Sequence, residues 1–80
     1  MTDEDEDLQR ATVDQIRGEA VAQYGGMKEF AAQWGRPYDS TRDYLKHVVP
    51  IKLGVAIEMC SFLGVPLEEM IARGRAQLRR

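Results

Sequence analysis

Eighty residues, 44% apolar and 30% charged, fit one small globular domain. A single cysteine excludes an intrachain disulfide, and with only one histidine no metal site is expected. No apolar run is long enough to span a membrane and the acidic N-terminus is unlike a signal peptide, so the expected location is cytoplasmic with no membrane partner.

The net charge of −2 is unevenly distributed. Residues 3–7 are five consecutive acids, and without residues 1–7 the chain has 11 bases against 8 acids, or +3. Residues 1–11 therefore read as an acidic, disordered tail, residues 12–73 as the folded domain and residues 74–80 as a basic tail.

Thr12-Val13-Asp14-Gln15 fits a capping box and predicts the first helix from Thr12, with the acids upstream favouring a start nearer Leu8. Val13, Ile16, Ala20 and Tyr24 fall on one face, and Gly25-Gly26 ends it. Met27, Phe30, Ala31 and Trp34 form the next apolar stripe, closed by Gly35. Ala31 is small enough for a neighbouring helix to cross there. Pro37 keeps Arg36 out of the helical region, and a third helix is expected from an Asp39 or Ser40 cap to about His47. Tyr44, Leu45 and Val48 are its apolar side, with Thr41 beneath; Ser40, Arg42, Asp43 and Lys46 are left for the outer face. Pro50 breaks the chain again. From Ile51 to Leu63 the residues are apolar nearly all round, which predicts a central buried helix ended by Gly64, with Cys60 as a small core residue. Pro66 and Glu68-Glu69 suit the start of a last helix, with Leu67, Met70 and Ile71 inward. Gly74 is expected to weaken or end it. The predicted fold is all-α, with five helices.

A helix, a tight turn containing glycine and a second helix form the helix-turn-helix signature. Met27–Gly35, with its Phe30-Ala31 pair and final glycine, and Glu58–Ile71, with Leu63-Gly64-Val65 followed by Met70-Ile71, carry a resemblance. Over roughly residues 12–72 the chain resembles the lambda repressor/Cro-type helix-turn-helix family, often called the XRE family. It departs from the family at Met27, where a polar residue is usual, and at Lys46-His47-Val48, where Glu-x-Gly is common. The turn is also one residue longer, through Arg36-Pro37-Tyr38-Asp39.

The resemblance implies a compact five-helix lambda-repressor-like domain acting as a transcription regulator. Its size resembles Cro-like phage regulators or a small immunity repressor, nucleoid-associated in a bacterial or phage-infected cell. Ser40–His47 would be the recognition helix in the major groove of double-stranded DNA. Arg42 would bind guanine O6 and N7, Asp43 would accept from cytosine N4, and Ser40, Thr41 and Lys46 would complete the base contacts. Lys28, Arg36, Tyr38, His47 and Lys52 would hold phosphates. One short reader helix is little surface for a specific monomer, so a homodimer on DNA is expected, joined through the exposed part of Leu67–Leu78.

There is no Ser-His-Asp constellation, no HExxH and no glycine-rich phosphate loop after a strand, so no enzyme and no cofactor are expected. With little chain after residue 73 for a sensing domain, no small-molecule ligand is expected either. The rival is a protein-binding adaptor or antirepressor built on the same helices, which the acidic run and low net charge favour.

Overall fold

The computed structural model describes residues 3–79, and within them the chain forms five helices and no strand. They are α1 (Asp3–Tyr24), α2 (Met27–Trp34), α3 (Tyr38–Leu45), α4 (Leu53–Leu63) and α5 (Leu67–Leu78). Met1, Thr2 and Arg80, which belong to the two expected tails, lie outside the described residues. Each helix sends one fully buried side chain to a common centre: Ile16, Phe30, Leu45, Met59 and Met70. Rings of Tyr24, Phe30, Trp34 and Phe62 pack in a chain beside it, with Phe30 stacked on Trp34 at 5.5 Å. The radius of gyration, 11.9 Å, is that of a compact chain of this length.

α1 begins earlier than expected. The acidic residues 3–7 are its first turns rather than a disordered tail, consistent with the preference of carboxylates for a helix N-terminus. Thr12 is therefore mid-helix and caps nothing: its hydroxyl donates to the Leu8 carbonyl one turn back, at 2.7 Å. Gln15 does not reach back either; its amide donates to Gln77 at 2.8 Å.

α5 runs antiparallel along α1, with Arg73 beside Glu19 and Gln77 beside Gln15. Gly74 does not end this helix, and the expected boundary there is also corrected. It is buried against α1, where a Cβ would lie 3.0 Å from both the backbone nitrogen and the hydroxyl of Thr12. The glycine sets how closely the two backbones approach.

α2 and Gly35 are where the sequence predicts them. Gly35 adopts φ +82°, a left-handed conformation that costs a side chain with Cβ, and its N–H closes onto the Ala31 carbonyl. α4 departs from expectation. Ala56, Met59, Cys60 and Leu63 are buried, but Leu53 is 68% exposed and Ile57 49%. The four other helices do not surround it, so an apolar edge is left in water.

Candidate nucleic-acid interface

α3 follows α2 after the turn Gly35-Arg36-Pro37 and rests on two buried side chains, Thr41 and Leu45. Pro37 occupies the N-cap position with extended ψ, and no side chain caps the helix. The expected Asp39 or Ser40 cap is corrected by this: both residues are already inside the first turn. Starting at Tyr38 also settles which residues face out.

Ser40, Asp39 and Lys46 are exposed, and Arg42 and Asp43 are half-buried at the edge of the same face. Thr41 is not on it. It is 1% exposed and its hydroxyl donates to the Pro37 carbonyl at 2.9 Å, so it supports the helix and cannot reach a base.

Arg42 lies in a cradle of its own helix. Its Nε and one terminal nitrogen donate to Asp43 at 3.3 and 3.1 Å, and the other terminal nitrogen is 3.5 Å from Asp39. The guanidinium lies over the Tyr38 ring, 5.5 Å from its centroid. The hydrogen bond to Asp43 raises the Arg42 pKa above its ordinary value, so the charge is permanent. Arg36 is held in a similar way, 2.8 Å from Glu58 of α4 and 4.8 Å over the Trp34 ring. Both arginines are thus pre-oriented, and both carry an acid partner. The half-buried Tyr38 works as the platform under Arg42.

Lys28, Lys46 and Lys52 are exposed and make no ion pair among the described residues. Lys28 is the second residue of α2, where the helix end already favours an anion. Lys52 precedes α4, between Ile51 and Leu53, which line a separate apolar cleft.

His47 is turned away from this face. It sits in the left-handed region at φ +63°, and its Nε2 is 2.7 Å from an Asp14 carboxylate oxygen on α1. The same Asp14 binds Arg17, and Arg17 donates to the Leu45 carbonyl at the end of α3 at 2.9 Å. Burial pushes the Asp14 carboxyl up, but hydrogen bonds from His47 and Gln77 and the Arg17 charge outweigh it and hold the carboxyl below its usual range. His47 is therefore part of a clamp that fixes the C-terminal end of α3, not a phosphate ligand.

The sequence reading missed Asp14, Arg17 and Glu58, since these partners stand 22 to 33 residues from the groups they hold. Of the two acids that hold Arg42, Asp39 stands three residues away, a spacing that is a local signal for pairing on a helix, whereas the contact with the adjacent Asp43 follows from no such spacing. Among the described residues no group of three or more His, Cys, Asp or Glu is placed to hold a metal. Cys60 is buried, and burial pushes its thiol up, away from reactive thiolate chemistry. No helix is long and apolar enough to cross a membrane among the described residues. No known protein family, curated protein or solved structure matches the chain.

Proposed function

We propose that this chain is a sequence-specific DNA-binding transcription regulator of the lambda repressor/Cro type, with α3 as the helix that enters the major groove. One observation carries the reading. α3 follows α2 after a glycine turn, stands on only Thr41 and Leu45, and turns Ser40, Arg42 and Lys46 outward. A short polar rod on an apolar base is what a groove about 12 Å wide admits. Arg42, held over the Tyr38 ring, is the base reader, and it would exchange Asp43 and Asp39 for the two acceptors of a guanine. Ser40 and Lys46 would flank it, and the exposed Lys28 and Arg36 would take phosphates.

A second reading has a specific observation in its favour. Asp39 and Asp43 neutralise Arg42, and Glu58 neutralises Arg36, so the face offers little net positive charge. An adaptor that docks on a protein would tolerate this better than a strong phosphate binder. All three pairs keep contact with water, however, and pairs of that kind are weak enough to exchange for phosphate or base contacts.

Selection of bound duplexes from a random pool at low salt, followed by a salt titration on the winning site, tests the proposal. Three phosphate contacts, from Lys28, Arg36 and Lys46, predict a slope of log affinity against log salt of about −2.7 per chain. Arg42→Ala is expected to lose about 5- to 150-fold in affinity for the selected site and to relax one base position. No enrichment at low ionic strength would overturn the DNA reading, and salt-insensitive capture of a protein would favour the adaptor.

A further inference from the structure

The exposed edge of α4 borders a cleft of about 330 Å³ between α1, α4 and α5. Leu8 and Thr12 form one wall and Leu67 and Ile71 the other, with buried Ala56 at the back and Leu53 at the mouth. A second hollow shares Leu67 and Ile71 and is bordered by Ile57. Neither takes a residue from α2 or α3, so this groove is separate from the outer face of α3.

Spacing and charge say what fits it. Leu53 borders the cleft and Ile57 the hollow, four residues on along α4, so the two are offset by about one turn, roughly 6 Å. Apolar side chains one turn apart on an incoming helix have the same offset. An extended segment would need a sheet edge for its backbone, and the described residues contain no strand; a helix satisfies its own. Among the described residues, the charged side chains that line the cleft and the hollow are Asp5 and Glu68, both exposed acids. Glu4 and Asp7 extend the acidic rim beyond Asp5. Arg75 and Arg79 border that end too, but none of these acids forms an ion pair among the described residues.

We propose that this groove holds an amphipathic helix of a partner protein, one that carries Lys or Arg beside its apolar stripe. Apolar side chains one turn apart enter the cleft and the hollow, and the basic flank meets Asp5 at one and Glu68 at the other. The apolar contact supplies the affinity, and the acidic rim selects the sign of the partner's charge. A second copy presenting the same face brings acids to acids, so the charge points to a different chain.

The experiment selects binders of the full chain, without DNA, from a displayed library of helical peptides of about 15 residues, randomised in apolar pattern and in charge. Enriched peptides are expected to carry apolar residues four apart, flanked by Lys or Arg. The strongest, labelled and titrated by fluorescence anisotropy, should lose about 10-fold in affinity for Leu53→Ala and for Ile57→Ala, both exposed positions whose truncation spares the core. Asp5→Lys and Glu68→Lys should each weaken it about 5-fold, and so should raising the salt to about 0.5 M. Val21→Ala, at an exposed apolar position that lines neither hollow, should bind as the parent does. No enrichment would overturn the proposal. So would enriched peptides that are neutral or acidic, or basic ones indifferent to both Leu53→Ala and Ile57→Ala. Self-association of the parent in sedimentation, abolished by Leu53→Ala and resistant to every enriched peptide, would give the groove to a second copy and overturn it as well. The DNA reading stands or falls separately, because no step here contains DNA.

Discussion

The α1–α5 seam and the outer face of α3 both carry charged and polar side chains, and they use them differently. Along the seam the bonds that cross between the two helices join residues distant in sequence, Glu19 with Arg73, Gln15 with Gln77 and Asp14 with Gln77, beside local ones such as Arg73 with Glu69 and Gln23 with Glu19. On α3 the partners of Arg42 are Asp39 and Asp43, three residues and one residue away. Long-range bonds form only when the chain is folded, so they report and reinforce the fold. Local bonds on an exposed helix can open without moving a backbone. The bonds that tie α1 to α5 and the bonds within the outer face of α3 differ in this way by where their partners lie, while Arg36, tied to Glu58 of α4, is a long-range pair at the turn before α3.

The sharpest way to break the comparison is to force the seam apart. Gly74→Val would place its branched side chain against the Thr12 backbone, where even a Cβ stands at 3.0 Å. Overpacking of that kind costs about 3 kcal/mol, which for a chain this size lowers the melting temperature by more than about 12 °C. Ser40→Ala, an exposed change on α3, should stay within about 0.5 kcal/mol of the parent in the same thermal unfolding experiment. Equal effects from the two would erase the distinction between the regions.

The seam is also what the sequence hides. α2, its closure at Gly35 and the closure of α4 at Gly64 were legible, because an apolar stripe followed by glycine is a local pattern. The face of α3 was largely legible for the same reason, Thr41 beneath it included, and the base contact that the family resemblance implied for Thr41 is what its burial removes. The start of α1 was not. Residues 3–7 show no apolar periodicity, and Thr12 with Gln15 imitates a capping box at a place where the helix is already under way. Gly74 reads as a helix breaker until α1 is seen lying against it. His47 reads as a phosphate contact until Asp14 is seen 2.7 Å away. For Gly74 and His47 the deciding partner is on another helix.

The clamp between α1 and α3 joins the two regions and gives a smaller test. Asp14 is held below its usual pKa in the folded chain, so its contribution is fully present above the unfolded carboxylate pKa of about 3.9. It is lost as pH falls from there through the lowered folded value. Glu19, held low first by the Gln23 hydrogen bond and then by Arg73, contributes in the same direction. Asp14→Asn should cost about 1 kcal/mol at pH 7 and give a shallower loss of stability below pH ~4 than the parent. An unchanged acid limb would mean that the His47–Asp14–Arg17 cluster does not hold α3 in place.

The smallest expected effect is the most informative about α3. Asp39 is 81% exposed at its side chain and contacts Arg42 at 3.5 Å, a weak pair in full contact with water. Asp39→Asn should therefore leave the unfolding midpoint where it is. On the selected duplex it should act differently, because it removes a charge that competes with the nucleic acid for Arg42. Affinity at low salt is expected to rise about threefold, and the salt slope to steepen by up to about 0.9 as Arg42 gains a share in phosphate neutralisation. The gain should vanish in the Arg42→Ala background, which separates release of Arg42 from a general loss of negative charge. If Asp39→Asn binds as the parent does, with the same slope, the Arg42 cradle is a fixed feature of the fold like the seam, and the distinction between local and long-range partners fails on the helix that matters most.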